Sequence, residues 1–287
     1  MTDNDSSLSG RATALLLAPL CAMLLLVLIY PLLTTAWTSV YDHGLTLRGY
    51  RELAQSALFR LVLVNTLIIS CTATLAALLA GYPVALHISR QTARRRALYL
   101  ILVMMPFWTS ILVKSFALGV VFGSHGLINH LLAVLSDGNL NFAMMYNRIG
   151  VIIGMLNYLL PFIVLSVLGS LLSLNPKLAL AAETMGASPL RIFWRVTFPL
   201  TLPGVLSGGF MAFTLSVGMY ITPALLGGRR DMMIANLVDF YTRQDLDWTL
   251  ASASAIVLLA ISGGVVGLLG AVRQFGESAG TRAGGRS

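Results

Sequence analysis

Six side chains set in otherwise apolar stretches are the candidates for recognition chemistry in this chain: Trp108, Lys114, Asn157, Tyr158, Tyr220 and Thr222. Lys114 is the single formal charge inside any long apolar run, and an ionisable group in such a run is expected to serve a function. Two readings stay open for it: a group facing a polar passage, or a structural lysine whose stem carries its ammonium toward the outer surface. Aromatic rings hold an ammonium by cation–π contact, so Trp108, Tyr158 and Tyr220 are candidates for lining such a passage. Packing is the competing reading for each ring. Asn157 is costly in an apolar helix unless it bonds across helices or faces the passage, and Thr222 adds a hydroxyl. All of this is binding chemistry. There is no His-Glu-x-x-His, no Gly-x-Ser-x-Gly and no pair of acids within an apolar run to support an enzyme, and no Gly-x-x-x-x-Gly-Lys-Ser/Thr loop to bind ATP. Cys21 and Cys71 lie inside apolar runs without metal-ligand spacing and read as membrane-buried residues that form no disulfide.

The elements that position these residues are membrane helices. The 287 residues are 57% hydrophobic and only 10% charged, with mean hydropathy +0.82, whereas soluble domains are about 25% charged. Apolar runs of spanning length, ~20 residues, cover Ala12–Trp37, Leu61–His87, Ala97–Phe122, Val151–Ser173, Leu202–Leu226 and Leu250–Val272. Backbone amides in hydrocarbon must pair within their own segment, so the class is all-α with six transmembrane helices. Residues 1–11 read as a cytoplasmic tail, 12–273 as the transmembrane domain and 274–287 as a flexible cytoplasmic tail. Short helices are expected near Tyr50–Phe59, from Gly126, and around Met232–Tyr241. With both termini inside, the inner face carries Arg11, Arg90, Arg94, Arg95, Arg96, Lys177, Arg191, Arg195, Arg273, Arg282 and Arg286. The outer face carries Arg48, Arg51, Arg60, Arg148, Arg229, Arg230 and Arg243, offset by Asp42, Glu52, Asp137, Asp231, Asp239, Asp245 and Asp247. The net charge of +8 is therefore an inner-face bias plus Lys114, as the positive-inside rule requires. That accounts for the basic balance without a nucleic-acid partner. Small-xxx-small pairs at Gly150/Gly154, Gly204/Gly208 and Gly263/Gly267 predict close helix packing or a subunit interface.

One cytoplasmic loop, 174–200, is built with more care than a linker needs. Asn175 and Pro176 form an N-cap followed by a proline suited to the first helical position. Leu178, Ala181, Ala182 and Met185 then recur at helical spacing. Gly186 is a helix stop in the left-handed conformation, and Ser188-Pro189 repeats the N-cap-plus-proline start. Leu190, Phe193 and Trp194 form a second stripe, with Arg191 and Arg195 on another face. Pro199 and Pro203 break or kink the way into the next span. Two capped helices around a glycine form a docking element for a cytoplasmic partner. Ala181 and Ala182 are small where a lipid anchor would carry Leu or Phe.

At these residues the chain resembles a known family. Ala181-Ala182, Gly186-Ala187-Ser188, Phe193, Val196, Pro199 and Pro203 look like the EAA loop of permease subunits of ATP-binding-cassette importers. The likeness extends toward the spermidine/putrescine type. Asn65-Thr66 and Pro106-Phe-Trp-Thr-Ser110 with Lys114 are similar to its second and third spans. Gly126-Leu-Ile-Asn129, Gly218-Met-Tyr-Ile-Thr-Pro-Ala-Leu-Leu-Gly-Gly228 and Met233-Ile-Ala-Asn236 are similar to its outer loops and fifth-span ending. The chain departs from the family at Leu180, where a Glu is usual, and Glu183 follows the alanines instead.

The resemblance implies a type I importer permease in a bacterial inner membrane. A second permease, usually a different chain, would complete the pathway, and a periplasmic binding protein would deliver the substrate. A cytoplasmic ATPase dimer, carrying ATP and Mg, would receive Ala181, Ala182, Glu183, Gly186, Ala187 and Ser188. A polyamine is the expected cargo, with amino acids, opines and aminophosphonates as alternatives within the same machinery. A stand-alone secondary carrier is the alternative of another class.

Overall fold

The computed structural model describes residues 10–42, 44–123, 126–135 and 145–284; the expected tail at 1–9 and the outer-loop stretch 136–144 lie outside them. Helices α1 (Gly10–Val40), α3 (Ala57–Ser89), α7 (Arg148–Ser173), α10 (Phe198–Val217) and α13 (Trp248–Gly284) carry five of the six spans. Among the described residues six candidate spans are long and apolar enough to cross a membrane. The short helices expected near Tyr50, from Gly126 and around Met232 are α2 (Arg48–Gln55), α6 (Leu127–Leu135) and α12 (Ile234–Arg243). The α13 backbone stays helical from Gln274 to Gly284, a stretch that reads from composition as a flexible tail; 285–287 are outside the described residues.

Two spans differ from the sequence expectation. The run Ala97–Phe122 is not one helix but two, α4 (Ala93–Trp108) and α5 (Ile111–Phe122), with Thr109 and Ser110 extended between them. Pro106 contributes no N–H to the last turn of α4, and the Thr109 hydroxyl donates back to the Pro106 carbonyl at 2.8 Å. The run Leu202–Leu226 likewise divides into α10 and α11 (Ile221–Leu226), separated at Gly218–Tyr220. The chain's side chains, not hydropathy, make these breaks tolerable: the Asn236 amide donates to the Tyr220 carbonyl at 3.0 Å.

The chain forms two compact units. The larger spans Ala57–Leu237 with Val257–Ser287, and the smaller Met1–Ser56 with Val238–Ile256. In the larger unit, Ile69, Ala73, Ala77 and Ala85 of α3 meet Met155, Leu159, Ile163 and Val167 of α7 in a buried core. Lipid is as apolar as leucine, so helices associate through close approach and polar bonds rather than burial from water. Gly204 and Gly208 of α10 lie so near α7 that a Cβ would strike Ser170 and Ser166. The Ser166 hydroxyl donates to the Gly204 carbonyl at 2.9 Å, and Tyr82 Oη and Thr201 Oγ1 are hydrogen-bonded at 2.9 Å. Gly154 packs against Thr222 and Leu226. Gly263 and Gly267, in contrast, have open space before them, so the third small pair packs against nothing among the described residues.

In the smaller unit, Gly49 of α2 approaches Thr249 and Ala253. Thr38 and Ser252 hydroxyls bond at 2.6 Å, and Ser39 bonds Tyr50 at 2.9 Å. The Asp247 carboxylate accepts from the Leu250 amide at 2.9 Å, capping α13. Burial, reinforced by Asp245, raises the pKa of the Tyr241 phenol above its ordinary value.

Candidate functional site

The loop 174–200 holds two short helices on either side of Gly186. Helix α8 (Pro176–Thr184) starts with Asn175 Oδ1 accepting from the Lys177 amide at 3.0 Å. It ends as a Schellman motif: Ala187 N–H bonds the Ala182 carbonyl at 3.1 Å and Gly186 N–H the Glu183 carbonyl at 2.9 Å. Gly186 takes φ +78°, a conformation that L side chains rarely adopt. Its missing side chain serves that backbone geometry, and among the described residues a Cβ there would meet nothing within 4 Å. Ser188 takes the N-cap position of α9 (Pro189–Ile192), but its hydroxyl makes no cap hydrogen bond.

After α9 the backbone widens into a π-turn, Phe193–Thr197, before α10 begins. In an α-helix the ring of Pro199 would press on the carbonyl four residues back, that of Arg195; the wider turn relieves that clash. Phe193 turns inward, its ring 5.7 Å from that of Tyr82 and 6.1 Å from Phe198. The rest of the hinge faces outward: Leu178, Leu180, Leu190 and Trp194 are exposed, and Met185 is 87% exposed. Ala181, Glu183, Gly186 and Ser188 are also exposed, with Ala182 and Ala187 half-buried. A cavity of about 390 Å³ lies beneath the hinge, with Glu183 and Arg90 among its lining residues. Glu183 thus borders the underside of the hinge as well as its surface.

In the bilayer region the break between α4 and α5 organises a second group. The last carbonyls of α4 have lost their helical partners, and Pro106 O accepts from Lys114 Nζ at 2.7 Å as well as from Thr109. The same ammonium stands 5.7 Å from the centre of the Tyr158 ring. Tyr158 meets Phe162, Phe162 meets Phe107 and Phe107 meets Trp108, with centroids 5.6, 5.6 and 6.2 Å apart. Trp108 ends this ladder 83% exposed. Three of the residues singled out from sequence, Trp108, Lys114 and Tyr158, therefore belong to one cluster. Asn157 is half-buried beside it on α7 and has no hydrogen-bond partner among the described residues. Tyr220 lies apart, exposed at the α10–α11 break. Thr222 is buried against Gly154, inside the packing.

A third group, at the Arg148 end of α7, was not legible from residue chemistry. Arg148 at the start of α7 donates to Asn65 Oδ1 at 2.7 Å and to Asp231 Oδ1 at 3.2 Å. Asp231 Oδ2 accepts from the Gly228 amide at 3.2 Å, and Asn65 donates to the Arg230 carbonyl. Thr66 Oγ1 accepts from the Ile234 amide at 2.9 Å, receiving the first turn of α12. Gly228 sits so close to the Tyr146 carbonyl that a Cβ would collide with it. The short signatures Asn65-Thr66, Gly227-Gly228 and Met233–Asn236, separate in sequence, thus join in one clasp.

The profile of the family described as binding-protein-dependent transport system inner membrane component matches residues 58–272. The spermidine/putrescine transport system permease protein PotB of Haemophilus influenzae is 32% identical over 237 residues, covering 83% of this chain and 82% of that protein. PotB of Escherichia coli K12 is 32% identical over 218 residues, covering 76% and 79%. Among solved structures, a chain of the bacterial alginate ABC transporter in complex with alginate pentasaccharide-bound periplasmic protein has TM-score 0.73 at 19% identity, covering 90% of this chain and 92% of that one. At that identity the likeness concerns the fold, which is that of an ABC-importer permease. With the family profile covering most of the chain and relatives above 30% identity along most of their own length, the chain belongs to the family of inner membrane components of binding-protein-dependent transport systems.

Proposed function

We propose that this permease forms half of a polyamine translocation pathway and docks a cytoplasmic ATPase through the hinge around Gly186. The observation that carries the reading is the hinge: a backbone fixed by a Schellman motif and a π-turn, with its apolar side chains turned outward. A fixed, exposed apolar surface is what a partner groove receives. Ala181, Ala182, Gly186, Ala187 and Ser188 form the contact, and Glu183 contributes from its position beside the cavity. A second permease, usually a different chain, completes the pathway, and a periplasmic binding protein delivers the substrate to the outer face. Both termini lie in the cytoplasm, following the basic residues. ATP and Mg belong to the ATPase, since this chain is a permease and not an enzyme.

The names of the relatives and the aromatic ladder favour a polyamine such as spermidine or putrescine. Trp108, Tyr158 and Tyr220 offer π faces to its ammonium groups, with Lys114 and Asn157 as further pathway residues; Thr222 is taken up in the packing against Gly154 and faces no passage. The spans contain no Asp or Glu, so neutral groups here and the partner chains hold the cation. The test is reconstitution of the permease pair, ATPase and binding protein in liposomes. Spermidine uptake that requires ATP and every component is the expected result. Uptake by this chain alone would overturn the importer reading, and a binding protein that ignores polyamines would overturn the substrate.

A further inference from the structure

We infer that Pro106 and Tyr158 form a primary-ammonium site and that Lys114 is its tethered occupant, which a substrate ammonium must displace. This rests on the pathway reading above and deepens it. An alkylammonium is recognised by hydrogen-bond acceptors for its three N–H groups and by π faces for its charge. The Pro106 carbonyl and the Tyr158 ring provide one of each, and both are engaged by Lys114 Nζ, at 2.7 Å and 5.7 Å. Among the described residues no carboxylate pairs with Lys114. A cation in an apolar span is thus held by neutral groups alone, the same type of group that would hold a cationic solute. The contact is also exchangeable. Pro106 O keeps a second donor in the Thr109 hydroxyl at 2.8 Å, so withdrawal of Lys114 leaves no orphaned carbonyl. The ladder through Phe162 and Phe107 to the exposed Trp108 gives an incoming ammonium a route of π faces to this point.

Two ammonium groups cannot share one carbonyl and one ring face at contact distance, because like charges repel there. Loading is therefore an exchange, and Lys114 sets how readily the site accepts a cation. Two variants separate charge from hydrogen bonding. Lys114→Gln keeps an N–H donor for Pro106 without the charge, and Lys114→Arg keeps a cation. Binding of n-butylammonium to the assembled complex of permeases and ATPase is measured by calorimetric titration. The expected result is that Lys114→Gln binds the amine about tenfold more tightly than wild type or more, because a like charge at contact has gone, while Lys114→Arg stays near wild type. Equal or weaker binding by Lys114→Gln, with the complex intact, overturns the exchange. Spermidine uptake by the wild-type complex is read in parallel: absent uptake defeats the polyamine reading, whereas unchanged amine titration defeats the role of Lys114.

Discussion

Arg148 and Asp231, 83 positions apart, form an ion pair at 3.2 Å that ties the start of α7 to the turn after Gly228. The guanidinium also serves Asn65, so one side chain satisfies two groups from two other segments. A lysine, a single point charge, lacks the planar fork that lets arginine bond both at once.

Loss of either partner should therefore loosen the Arg148 end of α7. Arg148→Met is expected to lower stability by roughly 1–2 kcal/mol, less than for a fully buried pair because the Arg148 side chain is 40% exposed against 12% for Asp231. Arg148→Lys recovers only part of this. Thermal unfolding in detergent, run as a double-mutant cycle with Asp231→Asn, checks the coupling; additive losses would mean that the pair contributes nothing.

The glycines of α10 and α13 separate packing from mere occurrence. Gly204→Ala forces Ser170 aside and disturbs the contact of Ser166 with the Gly204 carbonyl, at a cost of about 1–3 kcal/mol as overpacking. Gly267→Ala points into open space and should stay within about 0.5 kcal/mol of wild type in the isolated chain. Equal midpoints for the two variants would contradict the close approach of α10 and α7.

What the sequence made legible follows from how local each rule is. The spans could be read because each helix must satisfy its own backbone in hydrocarbon. Asn175, Pro176 and Gly186 could be read because caps act within a few residues. The breaks after Trp108 and at Gly218 could not, because both interrupt runs of uniform hydropathy; Pro106 was the local signal for the first. Arg148 and Asp231 read only as outer-face charges, since nothing local to either indicates a partner 83 residues away. The short signatures at Asn65-Thr66 and Gly227-Gly228 were the available pointers to that clasp.

Tyr241 gives the smaller unit an alkaline limit. Burial raises the folded-state pKa of its phenol above the ordinary value of about 10. Above the unfolded pKa the unfolded chain releases the proton first, so the folded state binds more protons and stability falls as pH rises. The contribution is intact below about pH 10 and is lost as pH climbs through the raised value. Tyr241→Phe should flatten that slope in unfolding measured from pH 9 to pH 11. An unchanged slope would assign the alkaline limit to another group.

Gly186 offers the most direct test of the hinge, because its two properties can be varied separately. Its φ of +78° costs an alanine roughly 1–2 kcal/mol, while asparagine visits this conformation more readily. Among the described residues no neighbour lies within 4 Å of a Cβ built there, so the added Cβ itself meets no obstacle. The strain instead acts on the end of α8, where the Ala182 and Glu183 carbonyls depend on this turn. Gly186→Ala should therefore reduce solute moved per ATP hydrolysed by about fivefold, the equivalent of 1 kcal/mol, with Gly186→Asn closer to wild type. Gly186→Trp adds bulk on the exposed face and should uncouple hydrolysis from uptake while the protein remains inserted. The graded order Asn, Ala, Trp distinguishes a docking surface from a linker, whose substitutions would leave the ratio of uptake to hydrolysis unchanged in all three.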